Sequence, residues 1–481
     1  MLASPAPDGD NGGMLLERIY DEDLSQASYV VGCQGSGEAV VVDPRRDVGV
    51  YLGLAERHGL AIVAVTETHV HADYLSGTRE LAAATGAQVY LSGEGGADWQ
   101  YGFAGRRLHD GEALTVGEVT LTALHTPGHT PEHLSFLVTD GAFAGEAGYL
   151  LSGDFVFAGD LGRPDLLDEV AGGVETRFAG AGQVFGSLRE KFLTLPDHVQ
   201  VFPAHGAGSA CGKALGALPS TTVGYERRYA WWAPYLAAGD QEGFVAELLA
   251  GQPDAHAYFA RMKRQNLAGP VVLGRRAPLA ELAGEAVRAD LEADRVTFVD
   301  TRSVGAVHAG TVPGSLSVPV PERAATYGAW AYDPETDSRP LVLLARGQDQ
   351  AQDLWDHLVR VGVDDVVGYV SSLEGLPLVQ PGTVCPAGLE GMEHAVLLDV
   401  RNRSEHAAGT IPGAEQLSAG RVLWHQDELP ARGRIVTFCQ SGVRNAVASA
   451  ALRRAGFDVV ELEGSYDGWL QEQARRRAAS S

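Results

Sequence analysis

Two stretches of this chain repeat each other without a gap: "VTFVDTRSVGAVHAGTVPGSLSVP" (296–319) and "AVLLDVRNRSEHAAGTIPGAEQLS" (395–418). Asp300-x-Arg302 aligns with Asp399-x-Arg401, and Gly310-Thr311-Val312-Pro313-Gly314 with Gly409-Thr410-Ile411-Pro412-Gly413. Each copy then continues into an apolar strand, "PLVLLA" or "RIVTFC", and a helix-spaced stretch. Such a repeated strand–turn–strand–helix pattern confines residues 266–378 and 379–481 to two α/β domains. The join falls in the Pro- and Gly-rich "LPLVQPGTVCPAGLE" (376–390).

The remaining residues are too many to be an appendage of those repeats. A chain of 481 residues exceeds what one core organises, so a further domain is expected over 14–265. The 37 basic against 62 acidic side chains give a net charge of −25, which repels phosphate backbones and anionic lipid. No nucleic-acid or membrane partner is expected, and no apolar stretch reaches the ~18–20 residues of a membrane helix. Residues 1–13 lack the basic and apolar parts of a signal peptide and read as a disordered tail. The four cysteines form no CxxC pair. That argues against a zinc ribbon or a disulfide framework and points to a reducing cytoplasm.

Within 14–265, "LAIVAVTE" has the composition of a buried strand and "LSGTRELAAATG" the spacing of a helix ending at glycine. Strand–helix alternation later gives way to a strand-rich stretch over 112–158, as in an α/β sandwich. Four loops then carry ligand-type side chains: "THVHADY" (68–74), "TPGHTPEH" (126–133), "SGDFVFAGDLGRPD" (152–165) and "PAHG" (203–206). In each, a histidine or aspartate follows an apolar run and lies in a turn with Gly or Pro, where a rigid sheet presents functional groups.

Together, and in this order, these loops resemble the metallo-β-lactamase superfamily. Its hydrolases usually read HxHxDH at the first loop and bind two metal ions; here Tyr74 stands at the last position, so one ion is expected. The chain looks most like the persulfide dioxygenase branch. That resemblance maps His69, His129 and Asp154 onto the ligands of a single non-haem Fe(II) per chain. Two imidazoles and a carboxylate suit a ferrous ion that must also bind substrate and dioxygen. By the same resemblance His71, Asp73, Tyr74 and His205 fall at the vacated second site or around the ligands. Asp160 is set aside because the family's Gly-Asp-x-x-Phe pattern falls on Gly153, Asp154 and Phe157. His125 and His133 receive no role. Arg163, in "GRPD", is read either as an anchor for an anionic substrate end or as a salt-bridge partner of Asp165. Cys211 is an additional thiol candidate, although buried free cysteines are commonly inert.

In the second repeat, "TFCQSGVRNAVASAAL" (437–452) ends a strand at Cys439, follows with a short loop containing Arg444, and starts a helix. Loop N–H groups and a helix N-terminus favour an anion, so a thiolate or persulfide is stabilised there. This stretch resembles the rhodanese active-site loop, which makes Cys439 the sulfur carrier and Arg444 the cation for sulfite or thiosulfate. The first repeat places Ala345 and Gln350 at those positions and is expected to be an inactive rhodanese-like domain.

The expected architecture is therefore a metallo-β-lactamase-type αββα sandwich, then two rhodanese-like three-layer α/β domains with mainly parallel sheets. The whole order resembles bacterial persulfide dioxygenase–rhodanese fusions. It implies oxidation of a thiol persulfide by O2 to sulfite and free thiol, and sulfur transfer between Cys439 and sulfite or thiosulfate in sulfide detoxification. Two other readings are a zinc hydrolase of the glyoxalase II or thioesterase type and a non-catalytic sulfur carrier or sensor. Self-association into a homo-oligomer is compatible with the sequence.

Overall fold

Strand β2 (Gln26–Cys33) shows why this chain builds layers: "QASYVVGC" is rich in Val and Tyr, and every residue of it is buried. The computed structural model describes residues 13–166, 168, 176–392, 394–430 and 433–480. The stretch 1–12, most of the expected disordered tail, lies outside the described residues. The chain falls into two units, one of residues 13–71, 76–252 and 263–274, the other of 72–75, 253–262 and 275–480.

The first unit contains two six-stranded sheets. One has the order β1 (Met14–Asp21), β2, β3 (Glu38–Val42), β4 (Ala61–Thr66), β5 (Gln88–Ser92), β6 (Arg106–Leu108). Its first pairings are antiparallel and those from β3 onward parallel. In the second sheet β7 (Ala113–Val116), β8 (Val119–His125), β9 (Leu134–Asp140) and β10 (Tyr149–Gly153) run antiparallel. Then β11 (Gln200–Pro203) pairs parallel with β10, and β12 (Thr221–Thr222) closes the edge. Residues two apart on one strand share a face, so Ala27, Tyr29 and Val31 meet Leu121, Ala123, Phe136 and Val138 in a core between the sheets. Truncating Phe136 to Ala there would cost about 3–5 kcal/mol.

The outer face of the first sheet is covered by α1 (Gly49–His58) and α2 (Thr78–Thr85), with Val30, Val41, Ile62 and Val65 under Tyr51, Leu54 and Leu81. The outer face of the second is covered by α3 (Thr176–Glu190), through Ala181, Val184, Phe185 and Leu188 against Leu150 and Val201. Helix, sheet, sheet, helix is the expected αββα sandwich.

The second unit holds two all-parallel sheets. One has the order β14 (Leu316–Ser317), β13 (Thr297–Asp300), β15 (Leu341–Leu344), β16 (Val366–Val370). The other has the order β17 (Thr383–Val384), β21 (Asp458–Leu462), β20 (Arg434–Phe438), β18 (Val396–Asp399), β19 (Glu415–Gln416). Strands buried on both faces read as continuous apolar runs. In β20, Ile435 packs toward Leu452 of α6 (Val443–Arg454), while Val436 and Phe438 pack toward Trp469 of α7 (Ser465–Ser480).

Both repeats close on the same clamp. Arg302 grips Asp300 through Nε–Oδ1 at 2.9 Å and Nη2–Oδ2 at 2.7 Å, and donates to the Gly310 carbonyl at 2.6 Å. Arg401 grips Asp399 at 2.9 and 2.7 Å and donates to the Gly409 carbonyl at 2.7 Å. Thr311 and Thr410 add hydroxyl donors to the same aspartates. The Asp-x-Arg motif thus pins the Gly-Thr-x-Pro-Gly turn to a strand end. Among the described residues, no helix is long and apolar enough to cross a membrane.

Candidate metal centre and candidate sulfur-transfer loop

The parallel strands β3 and β4 end side by side, and the chain beyond each supplies the first wall of the site. Asp43, held at φ 55°, follows β3. Its Oδ1 accepts the Thr68 N–H at 2.6 Å, and its Oδ2 accepts the Thr68 hydroxyl at 2.9 Å. The hydroxyl, having donated its one proton, accepts from His69 Nδ1 at 2.9 Å. That fixes the tautomer and leaves the His69 Nε2 lone pair free to bind a cation. His71 Nε2 lies 3.0 Å from Asp43 Oδ1, so this histidine is turned to the aspartate.

The second wall comes from the second sheet. His129, between β8 and β9, donates Nδ1–H to the Arg163 carbonyl at 2.9 Å, which turns Nε2 toward Asp154. Asp154 follows β10, and its Oδ2 lies 3.4 Å from His129 Nε2 and 3.9 Å from His69 Nε2. The ligand-type atoms of His69, His129 and Asp154 all lie within 4.8 Å of one another. His205, after β11, donates Nδ1–H to the Ser25 carbonyl at 2.9 Å and brings Nε2 to 3.4 Å from Asp154 Oδ1.

Backbone geometry leaves no slack. Gly153 has φ 54°, and a Cβ there would lie 2.6 Å from His133 Nε2 and 2.7 Å from Thr68 Oγ1. A Cβ on Gly162 would meet the Asp154 carbonyl at 1.8 Å. Only glycine fits either place.

The site's electrostatics call for a cation. Asp154 is buried, and neither of its carboxylate oxygens accepts a hydrogen bond among the described residues. Burial opposes its ionisation, yet His205, His69 and His129 hold it well below the usual carboxylate range. Burial, with His71 beside it, holds His69 well below the usual imidazole range, so it is neutral as a metal ligand must be. Burial also opposes protonation of His205, but Asp154 and Cys211 lift it well above the ordinary value. Nitrogen lone pairs converging on an orphaned buried carboxylate fit a metal ion. The donor set is two imidazoles and one carboxylate, with His205 on the carboxylate's other oxygen.

The other sequence candidates fall around this centre or away from it. His133, given no role from sequence, accepts the Asp154 N–H on Nε2 at 3.0 Å and meets Thr126 Oγ1 at 2.8 Å through Nδ1. Burial holds its pKa down to about 3, so it stays neutral and orients Asp154. Its position four residues after His129 was the available signal. His125 Nε2 lies 2.8 Å from the Pro131 carbonyl, a contact within its own loop. Asp160 accepts from Ala214 N–H and Trp231 Nε1, away from the ligand set. Arg163 is wholly buried and forks onto Asp165 through Nε–Oδ1 at 2.9 Å and Nη2–Oδ2 at 2.5 Å, while Nη1 donates to the Ala210 carbonyl. Of its two sequence readings, the salt bridge is the contact present. Cys211 is buried beside His205. Asp73 and Tyr74 are buried in the stretch 72–75, which belongs to the second unit. There Tyr258 Oη donates to the Asp73 carbonyl and the Leu75 N–H to the Arg360 carbonyl.

Cys439 lies just past β20, and its Sγ accepts the Gly442 N–H at 3.1 Å where α6 begins. Its own N–H is held by Ser465 Oγ at 3.2 Å. Gly442 has φ 114°, a backbone shape that glycine adopts freely. Arg444, expected to offer an open cation, instead pairs with Glu405 of α5 (Arg403–Ala408). In the first repeat Gln350 of α4 (Gln348–Val359) accepts the Arg346 N–H at 2.8 Å, and Ala345 takes the cysteine's place.

Comparison with known proteins agrees with both halves. The family described as "Metallo-beta-lactamase superfamily" matches residues 21–205, and "Rhodanese-like domain" matches 387–472. A metallo-beta-lactamase of Staphylococcus aureus subsp. aureus COL is 37% identical with TM-score 0.65, and the match covers 74% of this chain and 98% of that one. The chain belongs to the metallo-β-lactamase superfamily. It joins that superfamily's domain to a rhodanese-like domain within the second unit. Among curated metallo-β-lactamase relatives, the mitochondrial persulfide dioxygenase ETHE1 of Bos taurus is 29% identical over 41% of this chain and 70% of its own length. A hydroxyacylglutathione hydrolase of Rhodospirillum rubrum is 31% identical over 37% of this chain and 60% of its own.

Proposed function

We propose that the protein is a persulfide dioxygenase fused to a sulfurtransferase. The carrying observation is the buried Asp154 carboxylate, whose oxygens accept no hydrogen bond among the described residues, with ligand-type atoms of His69 and His129 gathered within 4.8 Å of it and of each other. The similarity to ETHE1 and the rhodanese-like domain support the same reading. His69, His129 and Asp154 would hold one Fe(II), which when bound brings persulfide sulfur and dioxygen together. The overall change converts a thiol persulfide, O2 and water into free thiol, sulfite and protons.

The chain's own part is orientation. Asp43 and Thr68 set His69, the Arg163 carbonyl sets His129, and His133 sets Asp154. Tyr74, where hydrolases of the superfamily usually carry histidine, leaves the second metal position short of a ligand. Arg163 acts as a positioning residue. Cys439 accepts a sulfane sulfur and exchanges it with sulfite or thiosulfate, with the Gly442 N–H stabilising charge on its sulfur. Joining both sites in one chain raises the local concentration of the shared sulfur species. Free cysteines at all four positions suit a reducing cytoplasm, and sulfide detoxification is the fitting role.

One observation favours a second reading. His205 faces the other Asp154 oxygen with Cys211 beside it, and hydroxyacylglutathione hydrolases are among the relatives, so a two-zinc thioester hydrolase is the rival. Anaerobic purification with metal quantification, followed by an oxygen-electrode assay on several thiol persulfides, decides between them. One iron and persulfide-dependent oxygen uptake support the proposal. Two zinc ions with thioester cleavage and no oxygen uptake overturn it.

A further inference from the structure

The cation of the sulfur-transfer loop is masked. Arg444 Nη1 lies 2.6 Å from Glu405 Oε2 and Nη2 lies 2.8 Å from Oε1, a bidentate pair. Glu405 is fixed from a second direction, because Oε2 also accepts the Asn402 N–H at 3.1 Å and closes a capping box on α5. The pairing raises the Arg444 pKa and lowers that of Glu405. Both groups are therefore charged at neutral pH, and their sum is zero.

The consequence concerns which sulfur species the loop receives. Cys439 thiolate attacks the outer sulfur of a donor. The new bond is Cys–S–S⁻, the donor's S–S bond breaks, and its electron pair leaves on a thiolate or, from thiosulfate, on sulfite. The persulfide group of an organic donor brings at most one negative charge to the reacting sulfur, whereas thiosulfate brings two. A dianion meets a carboxylate already seated on the arginine and must either displace it or bind without the guanidinium fork.

We propose that Glu405 is a specificity-determining residue: by holding both Nη atoms of Arg444 it selects against dianions. Sulfur then enters on an organic thiol carrier, and thiosulfate is held weakly enough to leave. This inference rests on the reading of Cys439 as a sulfur carrier. Neither partner is fully buried, with side-chain exposures of 32% for Glu405 and 25% for Arg444, so solvent moderates the effect.

The test is Glu405→Gln in the full chain, a change that keeps an acceptor for the Asn402 N–H. The Michaelis constant for thiosulfate is expected to fall about tenfold, with kcat/KM for an organic persulfide changed less than about twofold. Adding Arg444→Gln should abolish that gain. A thiosulfate constant that stays level or rises, or a gain that survives loss of Arg444, overturns the proposal. Calorimetric titration of thiosulfate into Cys439→Ser and Cys439→Ser/Glu405→Gln reads the masking without any turnover. Binding about tenfold tighter in the double variant upholds it even if the wild type proves unable to transfer sulfur, an outcome that would refute only the carrier reading. Equal binding overturns the masking itself.

Discussion

His129 gives its Nδ1 proton to the Arg163 carbonyl, 2.9 Å away, and the Arg163 side chain is itself locked onto Asp165. The orientation of His129, a proposed metal ligand, therefore leans on a residue whose own side chain is held by an ion pair. Removing one partner of a buried pair leaves the other charge uncompensated, at about 3–5 kcal/mol. Arg163→Gln should lower the unfolding midpoint of the first unit and weaken metal retention by about 10–100-fold. Chemical denaturation and metal content after dialysis against a chelator check both effects. Full metal retention would detach Arg163 from the site.

His129→Ala removes a proposed metal ligand while leaving the rhodanese-like domain's core intact. Bound metal and persulfide-dependent oxygen uptake should disappear, and sulfur transfer from an organic persulfide through Cys439 should stay within about twofold. Metal analysis, an oxygen electrode and a sulfurtransferase assay on one preparation give the answer. Equal loss of both activities would contradict separate sites.

Cys439→Ser should give the reverse pattern. Ala345→Cys in that background should restore little transfer, because Gln350 provides no cation and accepts the Arg346 N–H. Mass spectrometry of the peptides that span positions 345 and 439 after exposure to persulfide, compared with wild type, reads both. Strong persulfide loading at position 345 would show that the first repeat needs only a thiol.

Acid sensitivity has a local source in the second unit. Asp337 bridges Arg339 and Arg454, and although burial opposes its ionisation, their hydrogen bonds bring its pKa down to about 2. A depressed carboxylate contributes stability above its unfolded value near 3.8, and that stability is lost as pH falls through about 2. The full shift corresponds to about 2.4 kcal/mol, and solvent screening of this partly exposed cluster brings the contribution to about 1 kcal/mol. Asp337→Asn should lower stability at pH 6 and narrow the stability difference between pH 6 and pH 3, measured by urea unfolding. An unchanged difference would remove Asp337 from the acid response.

Sequence alone carried the layer order and the places where side chains emerge. The gapless repeat foretold two parallel sheets, since equal spacing puts Asp300 and Asp399 at the same strand end. The loops that bring His69, His129 and Asp154 together were legible because an apolar run followed by Gly, Pro and His marks a strand end that presents side chains. What escaped the reading is long-range pairing. Glu405 meets Arg444 and Asp154 N–H meets His133 only because separate strands end at one edge. Arg163 looked available because burial is a property of the fold, and nothing in "GRPD" announces it.

The twin Asp-x-Arg clamps have a consequence for where substitutions are tolerated. The first repeat keeps the same clamp, with Ala345 standing where the second repeat has Cys439. Position 345 holds no thiol that folding would have to keep reactive, so its neighbours are under packing demands alone. Change is therefore expected to collect at its exposed Arg346 and Asp349, while Ala345, buried and hydrogen-bonded to the Val370 carbonyl, stays small.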